Sequence, residues 1–108
     1  MKEYKWSRSE KIVARQAYDR ANERECTEIL NKVKEMLSEM KEPKEIWKVE
    51  DYLDKKRGEI EAKYDYRYSV LILVFGRLMR EELIEDSDIQ GLDQDKIDAI
   101  KRIGSYRI

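Results

Sequence analysis

Ile46–Phe75, IWKVEDYLDKKRGEIEAKYDYRYSVLILVF, is the stretch whose reading decides the fold. It follows the chain's only proline, Pro43, and carries one of two tryptophans and four of seven tyrosines. Rotating its first half by 100° per residue puts Ile46, Val49, Leu53, Ile60 and Tyr64 in one stripe, the pattern of a helix buried on one side. That helix is expected over Pro43 to Lys63, since proline suits a first turn and the residue before it avoids the α region. Trp47 falls outside the stripe, beside Glu50, Asp51 and Asp54 on the same off-core side. Val70 to Phe75 has a strand's composition, but Tyr68, Leu71, Ile72, Phe75, Leu78, Met79 and Leu83 keep helical spacing, and no second strand is on offer. A third helix is therefore expected over Arg67 to Glu85, apolar nearly all round in its first half.

Upstream, Ser7-Arg8-Ser9-Glu10 has the spacing of a capping box. No glycine or proline follows until Pro43, so the first helix is expected from Arg8 to Lys41. Roughly 34 residues at 1.5 Å each make a rod about 50 Å long, too long for one small domain to cover. Cys26, Leu30, Val33, Leu37 and Met40 step by four and three, as in a helix packed against a nearly parallel or antiparallel neighbour. A second copy of the chain is the obvious cover for what the second helix leaves open. Downstream, Asp86-Ser87-Asp88 is expected to cap a single turn over Ile89 and Gln90, ended by Gly91. Asp93 then caps a last helix from Gln94 to Ile103, stopped by Gly104, with Ile97, Ile100 and Ile103 inward. The expected fold is all-α: a long first helix antiparallel to the second, a small head made by the third helix and short C-terminal helices, and an elongated homodimer. The whole chain, 1–108, is expected to form a single domain.

Composition narrows function by exclusion. Charged residues make up 44% of the chain, yet the net charge is −1, so the two signs are interspersed on solvated helices rather than gathered into a basic face for nucleic acid. Histidine is absent, which removes the commonest general base and metal ligand, and Cys26 is alone. No catalytic residue, metal or cofactor is expected. Glu50, Asp51 and Asp54 lack a nucleophile or base of another type, and a di-iron bundle would need histidine. Lys63-Tyr64-Asp65-Tyr66-Arg67-Tyr68 interleaves aromatics and bases, as RNA-stacking surfaces do, but a helix junction with its rings in the core suits it better. The start, Met1 to Trp6, has no apolar core of a signal peptide, and Val70 to Phe75 is far short of the ~20 residues that span a bilayer. A cytoplasmic protein without membrane insertion is expected. Trp47 with Glu50, Asp51 and Arg57 is either a surface ion-pair cluster or a docking hot spot, tryptophan and arginine being the residues enriched there. Asp51 and Arg57 are six apart, about 240° around a helix, so they cannot pair within it; a paired Arg57 would meet an acid on another element or another chain.

The pattern Trp47-Lys48-x-x-Asp51-x-Leu53-x-x-Lys56-Arg57-x-Glu59-Ile60-x-x-Lys63-Tyr64-Asp65-Tyr66-Arg67-Tyr68-Ser69-Val70-Leu71-Ile72-x-Val74-Phe75 resembles the fluorescence recovery protein family. The resemblance extends through Leu78, Glu81, Gly91-Leu92-Asp93-x-Asp95-Lys96 and Ile100-Lys101, and more weakly to Ala17-Tyr18-Asp19-Arg20. It implies a non-catalytic helical dimer that docks on the orange carotenoid protein, speeds its return from the red to the orange form, and so ends quenching at the phycobilisome. Residue by residue, it implies that Trp47, Asp51 and Arg57 form a functional patch that also supports the dimer, and that Leu30 is a dimer-seam residue; Val33 and Leu37, which share its seam by spacing, are expected in the dimer interface with it. Glu50, Leu73, Lys96 and Lys101 are expected to join the partner-binding surface. The chain departs from the family at Glu50 (a histidine there), Leu73 (an aromatic) and Ala99 (a lysine). Glu82 stands for a glycine, and its side chain is expected to lengthen the third helix.

Overall fold

The computed structural model describes residues 3–105; Met1 and Lys2, part of the start read above, and residues 106–108 lie outside the described residues. Four α-helices appear: α1 (Arg8–Glu39), α2 (Ile46–Lys63), α3 (Leu71–Arg80) and α4 (Gln94–Ser105). Short 3₁₀ turns at Pro43–Glu45 and Asp86–Ile89 join them, and among the described residues there is no strand beyond one isolated bridge.

α1 begins at the capping box its sequence announces. Ser7 Oγ accepts from the Glu10 amide at 3.2 Å, and a Glu10 carboxylate oxygen accepts from the Ser7 amide at 3.0 Å. Past the Pro43 turn, α2 runs back along the second half of α1. Glu45 and Lys48 lie by Met36 and Met40, Ile60 lies by Ile29, and Lys63 meets Glu25. The first half of α1 offers Ala14, Ala17 and Ala21, all fully buried, to a head built from α3, α4 and their connections. Small side chains let these elements approach closely. α3 and α4 also approach closely: a Cβ at Gly76 would collide with the Ile103 side chain, and one at Gly104 would sit 3.2 Å from Met79. Ring contacts chain Trp6, Tyr68, Tyr66, Tyr18 and Tyr64 along the head's flank, so the tyrosine-rich junction is a packed one.

Several expectations are corrected. α3 spans Leu71–Arg80 rather than Arg67 to Glu85, because residues 64–67 hold no helix, 68–70 form a turn, and Tyr64 and Tyr66 set their rings against the core. Glu82 does not lengthen the helix but ends it. Its φ is 61°, the Glu82 amide donates to Met79 O (3.0 Å) and the Leu83 amide to Leu78 O (2.8 Å). That pair of bonds is the Schellman motif, which favours glycine at the left-handed residue. The turn after it is Asp86–Ile89 itself rather than Ile89 and Gln90, closed by Asp88 accepting from the Glu85 amide. Gly104 is no stop: α4 runs through it to Ser105, the bare Cα admitting Met79. In α2 only Val49 and Lys63 are buried, while Ile46 and Leu53 are 44% and 40% exposed. One neighbouring helix cannot cover the width of that apolar stripe.

Candidate functional site

α2 carries the one set of expected site residues that the fold gathers together. Trp47 is 65% exposed, the largest exposed apolar side chain among the described residues. It stands over a groove of about 440 Å³ whose apolar floor is Ile46, Val49 and Leu53 and whose charged rim is Glu50, Asp54 and Arg57. Leu53 and Arg57 also line a second groove of about 380 Å³ with Ile29 and Ile60, so the concavity continues along α2. Asp51 lies on α2 outside the lining. Asp54 takes its place, a residue the sequence reading grouped with the acids without singling it out for the site. The signal was available: a residue seven after Trp47 returns to the same helical face.

No ion pair within the described chain engages Glu50, Asp51, Asp54 or Arg57. Some other cations of α2 and α3 are paired within the chain. Lys48 pairs with Glu45, Lys56 with Glu59, and Arg77 with Glu81. Arg57 thus combines a guanidinium without an intrachain acid, an apolar floor and an exposed indole. Such a site offers shape, apolar area and a planar donor fork for a carboxylate. Among the described residues no cluster of histidine, cysteine or carboxylates could hold a metal ion. No helix of the described residues is long and apolar enough to cross a membrane.

The other expected site residues are dispersed. Leu30 and Leu37 are 52% and 47% exposed on α1, with Val33 half-buried between them. Leu73 is exposed on α3, and Lys101 is on the α4 surface 3.7 Å from Asp86. Lys96 is a correction. It is 2% exposed, and its ammonium sits 2.9 Å from Glu10 Oε2, inside the head. A cation so enclosed presents nothing to a partner. Ala99 is buried too, part of the core.

Buried charge instead holds the head in place. Burial alone would raise the Glu10 pKa; the amides of Ser7 and Asp93 and the Lys96 ammonium outweigh it, bringing the carboxyl from 4.5 to about 2. Asp88, buried but bonded to Arg24 at 2.6 Å and Arg20 at 3.3 Å, is likewise lowered. Lys63 meets Glu25 at 2.6 Å and Glu81 at 2.8 Å, and the Tyr64 hydroxyl donates to Glu25 at 2.9 Å. Burial and that carboxylate push the phenol well above its usual range.

Comparison with known proteins gives one consistent answer. Residues 6–104 match the family described as photoprotection regulator fluorescence recovery protein. The fluorescence recovery protein of Synechocystis sp. is 36% identical over 98 residues, spanning 91% of this chain and 90% of that one. The structure of the Fremyella diplosiphon fluorescence recovery protein superposes with a TM-score of 0.85 at 36% identity, covering 94% of this chain and all of the other. The Synechocystis structure gives 0.86 at 34% identity with the same coverage.

Proposed function

This chain belongs to the fluorescence recovery protein family of photoprotection regulators, and on that premise we propose that it binds an orange carotenoid protein and accelerates its red-to-orange return. It acts as a homodimer in the cytoplasm, beside the phycobilisome, and needs no cofactor. The observation that carries this reading is the groove on α2, with Trp47 exposed above it and Arg57 lacking an acid of its own. A helper that needs no acid or base speeds a domain closure by binding a state on the way to it more tightly than the open form, which lowers the barrier by that difference. An apolar floor with an exposed indole and a planar cation suits that task.

A homodimer accounts for the stalk. Leu30 and Leu37 on α1 are 52% and 47% exposed in one protomer, an apolar surface outside the α2 groove that a second copy would cover. The direct test is decay of the red-form absorbance of several orange carotenoid proteins, with and without this chain at micromolar concentration. Faster decay with any of them supports the proposal; unchanged decay with all of them overturns it.

A second reading has its own support. Glu50 stands in the groove where the family has a histidine, Leu73 replaces an aromatic on α3, and the position of a surface lysine is taken by the buried Ala99. The scaffold would then be kept for a different protein partner. A source genome without any orange carotenoid protein would decide for this reading, and affinity capture from that organism would identify the partner.

A further inference from the structure

The apolar tie between α2 and the head lies past the helix, in the ring of its C-cap Tyr64 against Tyr18 and the core. The core is built from α1, α3, α4 and the segments between them, and no side chain of Ile46–Lys63 belongs to it among the described residues. The covalent link is residues 64–70, which hold no helix. Against that, Lys63, the last residue of α2, is 5% exposed, and its ammonium bonds carboxylates from two other elements. Glu25 on α1 lies at 2.6 Å and Glu81, just past α3, at 2.8 Å. Three elements converge on one buried charge.

Such a cluster adds little stability over apolar side chains of the same volume, because desolvation offsets most of the attraction. What it does supply is register. If α2 slips by a turn, the Lys63 ammonium and the Glu25 carboxylate are both left buried and uncompensated. We propose that Lys63 is a positioning residue: its ammonium fixes the seat of α2 on α1 and against the head. It thereby holds the groove under Trp47, whose Arg57 lies six residues earlier on α2, in one placement relative to the exposed Leu73 of α3. The inference does not depend on which partner the groove takes.

The test reads that placement without any partner. Spin labels go on Lys55→Cys of α2 and Arg102→Cys of α4, both exposed, in a Cys26→Ser background. The labelled protein is diluted with unlabelled chain, so that only the distance within one chain is measured. The parent should give a narrow distribution. Lys63→Met should spread or shift it by as much as one helical turn, about 5 Å, with the helix content unchanged. A distribution as narrow and as centred as the parent's would overturn the proposal. Lys63→Arg keeps a buried cation with donors to spare and should stay narrow; broadening equal to that of Lys63→Met would show that the charge is not what positions α2. If Lys63→Met loses its helix content, Glu25→Met/Lys63→Met, which strands no buried carboxylate, decides. A broad distribution there supports the role of the clamp, and a narrow one ends it.

Discussion

Glu82 sits in the left-handed region at φ 61°, the one non-glycine residue at positive φ among those described. A side chain there costs on the order of 1–2 kcal/mol, of which glycine's greater chain entropy returns part. Glu82→Gly should therefore stabilise the fold by about 1 kcal/mol and raise the melting temperature by several degrees at fixed protein concentration. A lower melting temperature would mean that the Glu82 side chain makes a compensating contact. Glu10 works the other way. Glu10→Gln removes the carboxylate beside the buried Lys96 ammonium, leaving Asp93 at 3.8 Å as its nearest negative charge, and should cost roughly 3 kcal/mol near neutral pH. The sign of its pH dependence follows from the lowered folded pKa, about 2 against 4.5. Stabilisation is complete above the unfolded value and is lost as pH falls from about 5 towards 2. The gap between wild type and Glu10→Gln in urea unfolding should close across that window; a gap unchanged at low pH would assign the loss to something other than the charge.

Among the elements, those with local signals were legible in the sequence. The capping box set the start of α1, and the absence of breakers up to Pro43 carried it to within two residues of its end. α2 ends at Lys63 as its pattern says. The limits of α3 are not legible because the helical spacing of apolar residues runs on past both of its ends, from Tyr68 to Leu83. Its limits come from tertiary packing, with the tyrosine rings before it and the left-handed Glu82 after it. Trp47 could be read as off-stripe from rotation alone, whereas Lys96 could not be read as buried, its partner Glu10 being 86 residues away. The exposed face of α1 yields a prediction of its own. In the proposed homodimer Leu30→Glu would bury an unpaired carboxylate, at a cost of several kcal/mol. Light scattering should then report the mass of a single chain, with head structure retained because Leu30 is 52% exposed in the protomer. A dimer mass for that variant would move the seam elsewhere.

The whole molecule is long, 53 Å by 26 Å by 21 Å, and its radius of gyration of 16.7 Å exceeds the ~13 Å of a compact chain near this length. Charge is spread along it, and large apolar side chains stand out at separate places, Trp47 on α2 and Leu73 on α3. A partner seated on α2 alone would be indifferent to residue 73; one that also reaches the head would not. Trp47→Ala should slow the proposed back-conversion strongly, and its mass by light scattering separates lost docking from a lost dimer. Leu73→Phe is the sharper probe because it adds rather than removes. Leu73 is 51% exposed, so a ring there meets no core constraint and leaves folding unchanged. If an orange carotenoid protein contacts the head as well as the groove, the added aromatic area should strengthen binding by roughly 1 kcal/mol, about fivefold. The red-form decay at subsaturating concentration should quicken to match. An unchanged rate in Leu73→Phe, beside a slowed one in Trp47→Ala, would confine the partner to α2, and the head would then serve to hold that helix in place rather than to touch what it binds.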